Sequence, residues 1–190
     1  MKKPLVSIVM NCYNSDRFLK EAIDSIYAQT YSNWEIIFWD NASNDNSADI
    51  AQKYDERLKY YCVKKTAKLG QARNLALKRA QGEYLAFLDC DDLWLPDKLN
   101  LQVELLEKNR DFQFCYGGVH YIDENGKNIR NTIPIANNGY TIKQQLNSFE
   151  IAIQSVLIRN NIDISFDTNL QFSPDYDLLM LLACEHKAQV

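Results

Sequence analysis

Asp89, Cys90, Asp91 and Asp92 place three carboxylates within four consecutive positions. Carboxylates this close repel one another, and a divalent cation is the partner that fits them best. A metal held by Asp91 would neutralise a diphosphate, so the chemistry on offer is metal-assisted binding of a phosphorylated ligand. The competing reading is a polar turn with a helix cap, a common use of aspartate. Leu93-Trp94-Leu95-Pro96-Asp97-Lys98 follows directly, and large apolar side chains in such a loop predict a wall or lid over a ligand. Two further polar loops offer Tyr13, whose ring could stack on a base, and Asp40, which could accept an N–H from that base.

These residues need a scaffold that brings separate loops together. Tyr84 to Leu88 is a short apolar run entered through Gly82-Glu83, the pattern of a strand buried on both faces. Leu5 to Met10, Trp34 to Trp39 and Leu58 to Val63 read as further strands. Between them, Phe18, Leu19, Ala22, Ile23, Ile26 and Tyr27 recur at helical spacing, giving a helix to about Gln29. Helices are also expected over Ser47 to Tyr54, from Gly70 onward, and from Asp97 to Asn109. Strand and helix in alternation predict a parallel sheet, and in such sheets ligands sit beyond the carboxyl ends of the strands. Tyr13, Asp40 and the acidic cluster then share one edge.

After Arg110 the pattern changes to mixed α+β. Phe112 to Tyr116, Val119 to Ile122 and Ile151 to Ile158 read as strands, and Asn125-Gly126 as a hairpin turn. Thr141-Ile142-Lys143-Gln144 fits a capping box, and Ser173-Pro174 opens a last helix, since proline suits the first helical position. One domain is expected, with a nucleotide-binding-like first half over residues 1–110 and a smaller second half over 111–190.

Composition narrows the classes. A net charge of −4 and a pI near 5.2 argue against general nucleic-acid binding. No apolar run approaches the roughly 18 residues needed to span a bilayer, and no signal peptide is evident. Five scattered cysteines without Cys-x-x-Cys spacing read as reduced thiols, with Cys12 and Cys90 as small apolar fillers. A cytoplasmic location is expected, with peripheral association at the inner face of the membrane as an alternative. Neither a Gly-x-Gly-x-x-Gly nor a Gly-x-x-x-x-Gly-Lys-Ser/Thr element is present, so a glycine-rich phosphate cradle is not expected.

Four segments together resemble the family 2 glycosyltransferases of the GT-A fold. Pro4 to Asn14 is similar to that family's opening strand, and Trp39 to Ser47 to its Val-Asp-Asp-Gly-Ser-Thr-Asp-x-Ser loop. Gly70-Gln71-Ala72-Arg73-Asn74 matches its Gly-x-Ala-Arg-Asn element, and Gly82 to Asp92 its Asp-x-Asp segment, continued by Trp94, Pro96, Asp97, Lys98 and Leu99. Pro174-Asp175-Tyr176-Asp177-Leu178 is like its Glu-Asp-Tyr-Asp-Leu. The resemblance implies an inverting, metal-dependent transfer from a nucleotide diphosphate-sugar, UDP- or dTDP-linked, to a glycan or lipid-linked acceptor, as in polysaccharide synthesis. It assigns Tyr13 and Asp40 to the base, Arg73 to the nucleotide or its phosphates, and Asp89 to the ribose or sugar. It gives Asp91 to Mn²⁺ or Mg²⁺, with Asp92 as a second candidate. Asp175 becomes the catalytic base, with Asp177 as the alternative.

The departures are Asn41 for a usual Asp, Ala42 for a usual Gly and Pro174 for a usual Glu. The chain also stops soon after Asp177, where family members often continue, so a truncated catalytic domain is expected. Two other readings stay open: a non-catalytic nucleotide-sugar-binding module, and a metal-dependent nucleotidyltransferase. Asn11 to Asp16 lacks the glycines the latter usually needs.

Overall fold

The computed structural model describes residues 3–134, 138–139, 141–149, 151–170 and 173–190. In chain order the elements are β1 (Val6–Cys12), α1 (Asp16–Tyr27), β2 (Trp34–Asp40), α2 (Ser47–Ala51), β3 (Leu58–Cys62), α3 (Leu69–Leu77), β4 (Tyr84–Phe87) and α4 (Lys98–Lys108). Then follow β5 (Phe114–Cys115), β6 (Val119–Ile122), β7 (Asn128–Thr132), α5 (Ile142–Asn147), β8 (Leu157–Arg159), α6 (Pro174–Glu185) and β9 (Ala188–Gln189). Seven strands form one sheet in the order β3-β2-β1-β4-β8-β5-β9, and β6 and β7 form a separate hairpin. The first four strands are mutually parallel, as the alternating pattern predicts. β8 then enters antiparallel between β4 and β5, so strands from both halves of the chain share one sheet.

The period of two along each strand decides which helices cover which face. Ile8, Met10, Ile36 and Phe38 pack with Leu19, Ile23 and Ile26 of α1 and with Leu99, Val103 and Leu106 of α4. Val9, Ile37 and Phe87 point the other way, to Ala72 and Ala76 of α3 and Leu178, Leu179 and Leu182 of α6. Both faces of the central strands are therefore apolar, which is why their sequences run without polar alternation. Register fixes the working edge. Cys12 lies level with Asp40, and Val9 with Phe87, so β1, β2 and β4 release their chains on the same side.

Three expectations need correcting. Ile151 to Ile158 is not one strand: Ile153–Ser155 forms a 3-10 turn and only Leu157–Arg159 pairs. Ser155 Oγ donates back to the carbonyl of Ala152 at 2.7 Å, and Gln102 Nε2 donates to the carbonyl of Ser155 at 2.7 Å, which together consume the groups a strand would need. Thr141 does begin a helix, but its side chain makes no capping hydrogen bond. Trp94 is not a lid. It is 6% exposed, its backbone N–H donates to Ser25 Oγ at 3.2 Å, and its indole N–H donates to the carbonyl of Gln154 at 2.9 Å. Trp94 thus pins the acidic loop to α1, while Leu93 and Leu95 stay exposed. Among the described residues, no helix is long and apolar enough to cross a membrane.

Candidate active site

The β1–α1 and β2–α2 loops are tied to each other before any ligand is considered. Asn14 Oδ1 accepts the N–H of Asn44 at 2.8 Å, and the N–H of Asn14 donates to Ser43 Oγ at 3.1 Å. Asn14 has φ 49° and Ala42 φ 66°, so both loops turn through left-handed backbone. For alanine that conformation costs roughly 1–2 kcal/mol, a strain the family's usual glycine avoids. Asn41 explains its own departure: Nδ2 donates to the carbonyl of Ala67 at 2.8 Å while Oδ1 accepts the N–H of Ala67 at 2.9 Å. An ionised Asp could accept but not donate there.

Asp40 ends β2 and is only 3% exposed. Its Oδ1 accepts the N–H of Ser43 at 2.8 Å and its Oδ2 the hydroxyl of Tyr60 at 2.6 Å. Burial, and then Asp40, push the Tyr60 hydroxyl well above the ordinary phenol range. A carboxylate accepts about four hydrogen bonds, so these two leave capacity for a third partner. Tyr13, by contrast, is 54% exposed on the same edge, as a stacking platform requires. Cys12 and Cys90 lie buried as free thiols beneath these loops, Cys90 Sγ donating to the carbonyl of Asn11 at 3.3 Å.

Arg73 is held by two carboxylates. Its side chain is 3% exposed, and Nη2 donates to Asp89 Oδ1 at 2.9 Å. The other η nitrogen pairs with Asp175 Oδ1, and the guanidinium lies 5.3 Å from the ring centre of Phe166. A guanidinium so enclosed braces two carboxylates of the site. Gly70 packs closely on the segment before α6, where a Cβ would stand 3.1 Å from the carbonyl of Asp167. Arg73 spans the gap from α3 to the start of α6. Pro174 occupies the first helical position as predicted, behind Ser173 at φ 52°. Asp175 and Asp177 both fall in the first turn, and it is Asp175 that pairs with Arg73.

The acidic loop carries unrelieved charge. Burial, then the neighbouring Asp89 and Asp91, push the Asp92 carboxyl up to about 6. Asp91 is exposed beside it. Among the described residues, no three His, Cys, Asp or Glu side chains converge into a metal cage. This fits Mg²⁺-type binding, in which one or two carboxylates hold the ion and phosphate oxygens of the substrate complete its shell. Beside Asp91 opens a cleft of about 380 Å³ lined by Arg17, Phe18, Leu93, Ile122 and Glu124 among others. The hairpin forms its far wall, where Glu124 meets Arg17 of α1 in an exposed ion pair at 2.5 Å. Sequence reading missed this wall because the pair joins positions far apart in the chain.

The comparisons with known proteins agree with this geometry. The family model described as Glycosyl transferase family 2 matches residues 7–165. An uncharacterised glycosyltransferase of Methanocaldococcus jannaschii, MJ1057, is 33% identical over 199 residues, covering all of this chain and 69% of the relative. WfgD of Escherichia coli, a UDP-Glc:alpha-D-GlcNAc-diphosphoundecaprenol beta-1,3-glucosyltransferase, is 38% identical over 64% of this chain and 48% of its own length. TuaG of Bacillus subtilis, a putative teichuronic acid biosynthesis glycosyltransferase, is 38% identical over 65% of this chain and 50% of its own. The chain thus spans about half the length of the latter two relatives. Among solved structures, Staphylococcus aureus TarS with UDP superimposes with a TM-score of 0.77 at 20% identity, over 96% of this chain and 57% of that one. The mannosyltransferase PcManGT of Pyrobaculum calidifontis, in complex with GDP-Man and Mn²⁺, gives 0.72 at 17%, over 100% and 55%. At these identities the structural likeness establishes the fold, which is the GT-A type.

Proposed function

Because the chain belongs to glycosyl transferase family 2, we propose that its site transfers a sugar, with inversion and with a divalent metal, from a nucleotide diphosphate-sugar to an acceptor hydroxyl. The observation that carries this reading is the meeting of Asp89 and Asp175 on one buried guanidinium, with exposed Asp91 two residues along. Donor-side and acceptor-side carboxylates are thereby held in one frame.

Tyr13 and Asp40 take the base, and Asp89 the ribose or sugar. Asp91, assisted by Asp92, would hold Mn²⁺ or Mg²⁺. When bound, that ion neutralises charge on the departing diphosphate. Asp175 accepts the proton of the acceptor hydroxyl as its oxygen bonds to the anomeric carbon and the bond from that carbon to the diphosphate oxygen breaks. Arg73 braces Asp175 and Asp89 beside the donor, where the resemblance gives it to the nucleotide or its phosphates. Donor residues fall in 1–110 and the base in 111–190, which supports the two-half division.

UDP- or dTDP-sugars are the favoured donors; TarS binds UDP, while PcManGT binds GDP-Man and leaves the base open to test. The names of WfgD and TuaG support work in polysaccharide synthesis on a glycan or lipid-linked acceptor. A non-catalytic binding module has less support, because Pro174 replaces the usual glutamate without displacing the adjacent Asp175 from the site.

Release of nucleoside diphosphate from UDP-, dTDP- and GDP-sugars with Mn²⁺ tests the reading. Turnover is expected to fall at least ~10²-fold in Asp175→Asn, the usual effect of removing a general base. Near-normal turnover in Asp175→Asn with loss in Asp177→Asn would move the base to Asp177.

A further inference from the structure

Cys12 ends β1, and Cys90 stands in the acidic loop between Asp89 and Asp91. Val9 is level with Phe87 across β1 and β4, and the N–H of Leu88 donates to the carbonyl of Val9 at 3.1 Å. Three residues beyond that pair, on each chain, come Cys12 and Cys90. Both point to the α1 face of the sheet, in one apolar cluster with Met10 and Leu88. Their contact is direct: the two thiols hydrogen-bond to each other, and Cys90 Sγ reaches the carbonyl of Asn11 at 3.3 Å. We propose that Cys12 and Cys90 form a thiol switch, closed to a disulfide by a small peroxide, that weakens binding of the nucleotide donor. The effect on the donor rests on the transferase reading above; formation of the disulfide does not.

Geometry permits the bond. Residues level on neighbouring strands stand roughly 4.8 Å apart, within the roughly 4.4–6.8 Å between Cα atoms that a disulfide spans. The thiols are 1% and 4% exposed, which admits only a small oxidant. The Cys90 thiol, against the opposing effect of burial, lowers the Cys12 thiol to about 7, which favours Cys12 as the attacking sulfur. Its thiolate attacks one peroxide oxygen, the O–O bond breaks, and the departing hydroxide takes up a proton. The Cys90 sulfur then displaces the hydroxyl of the resulting sulfenic acid as water, and the S–S bond forms. Two thiols thereby lose two protons and two electrons, and hydrogen peroxide becomes two waters.

Direct contacts carry the change into the site. Cys12 Sγ lies 3.8 Å from Ser43 Oγ, and the N–H of Ser43 holds Asp40 Oδ1 at 2.8 Å. On the other side, Asp89 is paired with buried Arg73. A disulfide sets its sulfurs about 2.05 Å apart, far inside hydrogen-bond contact. Closing it draws the acidic loop toward β1 and breaks the bond from Cys90 to the Asn11 carbonyl. Asp40 and Asp89, placed for the donor, shift with their loops.

The test uses the full chain carrying Cys62→Ser and Cys184→Ser, since those two cysteines are exposed and would oxidise first. Protein reduced with dithiothreitol is compared with protein treated with hydrogen peroxide. Each is read by peptide mass spectrometry and by calorimetry with UDP, dTDP and GDP in the presence of Mn²⁺. A Cys12–Cys90 cross-link is expected, with nucleotide affinity about tenfold weaker, as for one lost charge-assisted hydrogen bond, and restored by dithiothreitol. Adding Cys90→Ala should abolish both the cross-link and the reversible loss. Cys90→Ser takes its place should circular dichroism show the alanine variant unfolded. No cross-link, a cross-link that leaves affinity unchanged, or an equal reversible loss in the protein lacking Cys90 overturns the proposal. The transferase reading is tested separately by the reduced protein. If that protein binds none of the three nucleotides, the transferase reading falls and takes the donor effect with it, while mass spectrometry still decides the disulfide.

Discussion

Arg73 Nη2 donates to Asp89 Oδ1 at 2.9 Å, tying a buried residue of α3 to the first carboxylate of the Asp-x-Asp segment. The same guanidinium pairs with Asp175, about a hundred residues later in the chain. Two carboxylates that would otherwise repel are held together by one enclosed cation, and its charge cannot be removed without exposing that repulsion.

Arg73→Ala should therefore destabilise the fold by about 3 kcal/mol, the lower end of the cost of breaking a buried ion pair. Arg73→Lys keeps the charge but loses the planar fork, and should fall between the two. Urea unfolding of Arg73→Ala, Asp175→Asn and the double variant measures the link. The double variant is expected to be less damaged than the sum of the singles, as for residues in one network. Simple additivity would show that the pair contributes nothing to the frame.

Asp40 has two jobs that can be separated. Tyr60→Phe removes the hydroxyl that donates to Oδ2 and should cost about 1–3 kcal/mol, the penalty for a buried acceptor left short of its partner. Asp40→Ala should cost a similar amount and also weaken nucleotide binding. A charge-assisted bond of about 1.5–3 kcal/mol corresponds to roughly ten- to a hundred-fold in affinity. Unchanged nucleotide affinity in Asp40→Ala, measured by calorimetry, would reduce Asp40 to a residue that shapes its loop.

Stability toward acid should depend on Glu35, at the opposite end of the sheet. Burial pushes its carboxyl up, but hydrogen bonds from Lys59, Ser7 and the N–H of Gln81 outweigh this and hold it below the ordinary 4.5. A folded value below the unfolded one means stability that is present above about 4.5 and lost as pH falls through the folded value. Glu35→Gln should accordingly be the less stable protein at neutral pH and lose less on acidification, read by urea midpoints across that window. A parallel loss in both proteins would contradict the assignment.

How far the sequence could be read follows from how local each signal is. The first four strands, the acidic loop and the proline that opens α6 are written in contiguous residues, through buried apolar runs and turn chemistry. The Arg73–Asp175 pair, the Tyr60 hydroxyl on Asp40 and the anchoring of Trp94 by Gln154 are partnerships across distant positions and leave no local period. Arg73 stands near a helix start beside Gly70, a local signal for a phosphate role, while its two ion pairs leave no local trace. Ile151 to Ile158 looked like a strand because apolar runs do not distinguish a strand from a turn that buries the same side chains.

The central claim is that a nucleotide diphosphate binds this edge of the sheet through a metal held by Asp91. Isothermal calorimetry of UDP, dTDP and GDP, with and without Mn²⁺, tests it most directly, in the parent protein and in Asp91→Asn. Asp91 is exposed, so the variant should melt like the parent. The account predicts tight binding of at least one nucleotide by the parent only when metal is present, and loss of that metal dependence in Asp91→Asn. Equal metal-dependent affinity in parent and variant, or no nucleotide binding by the parent at all, would contradict it.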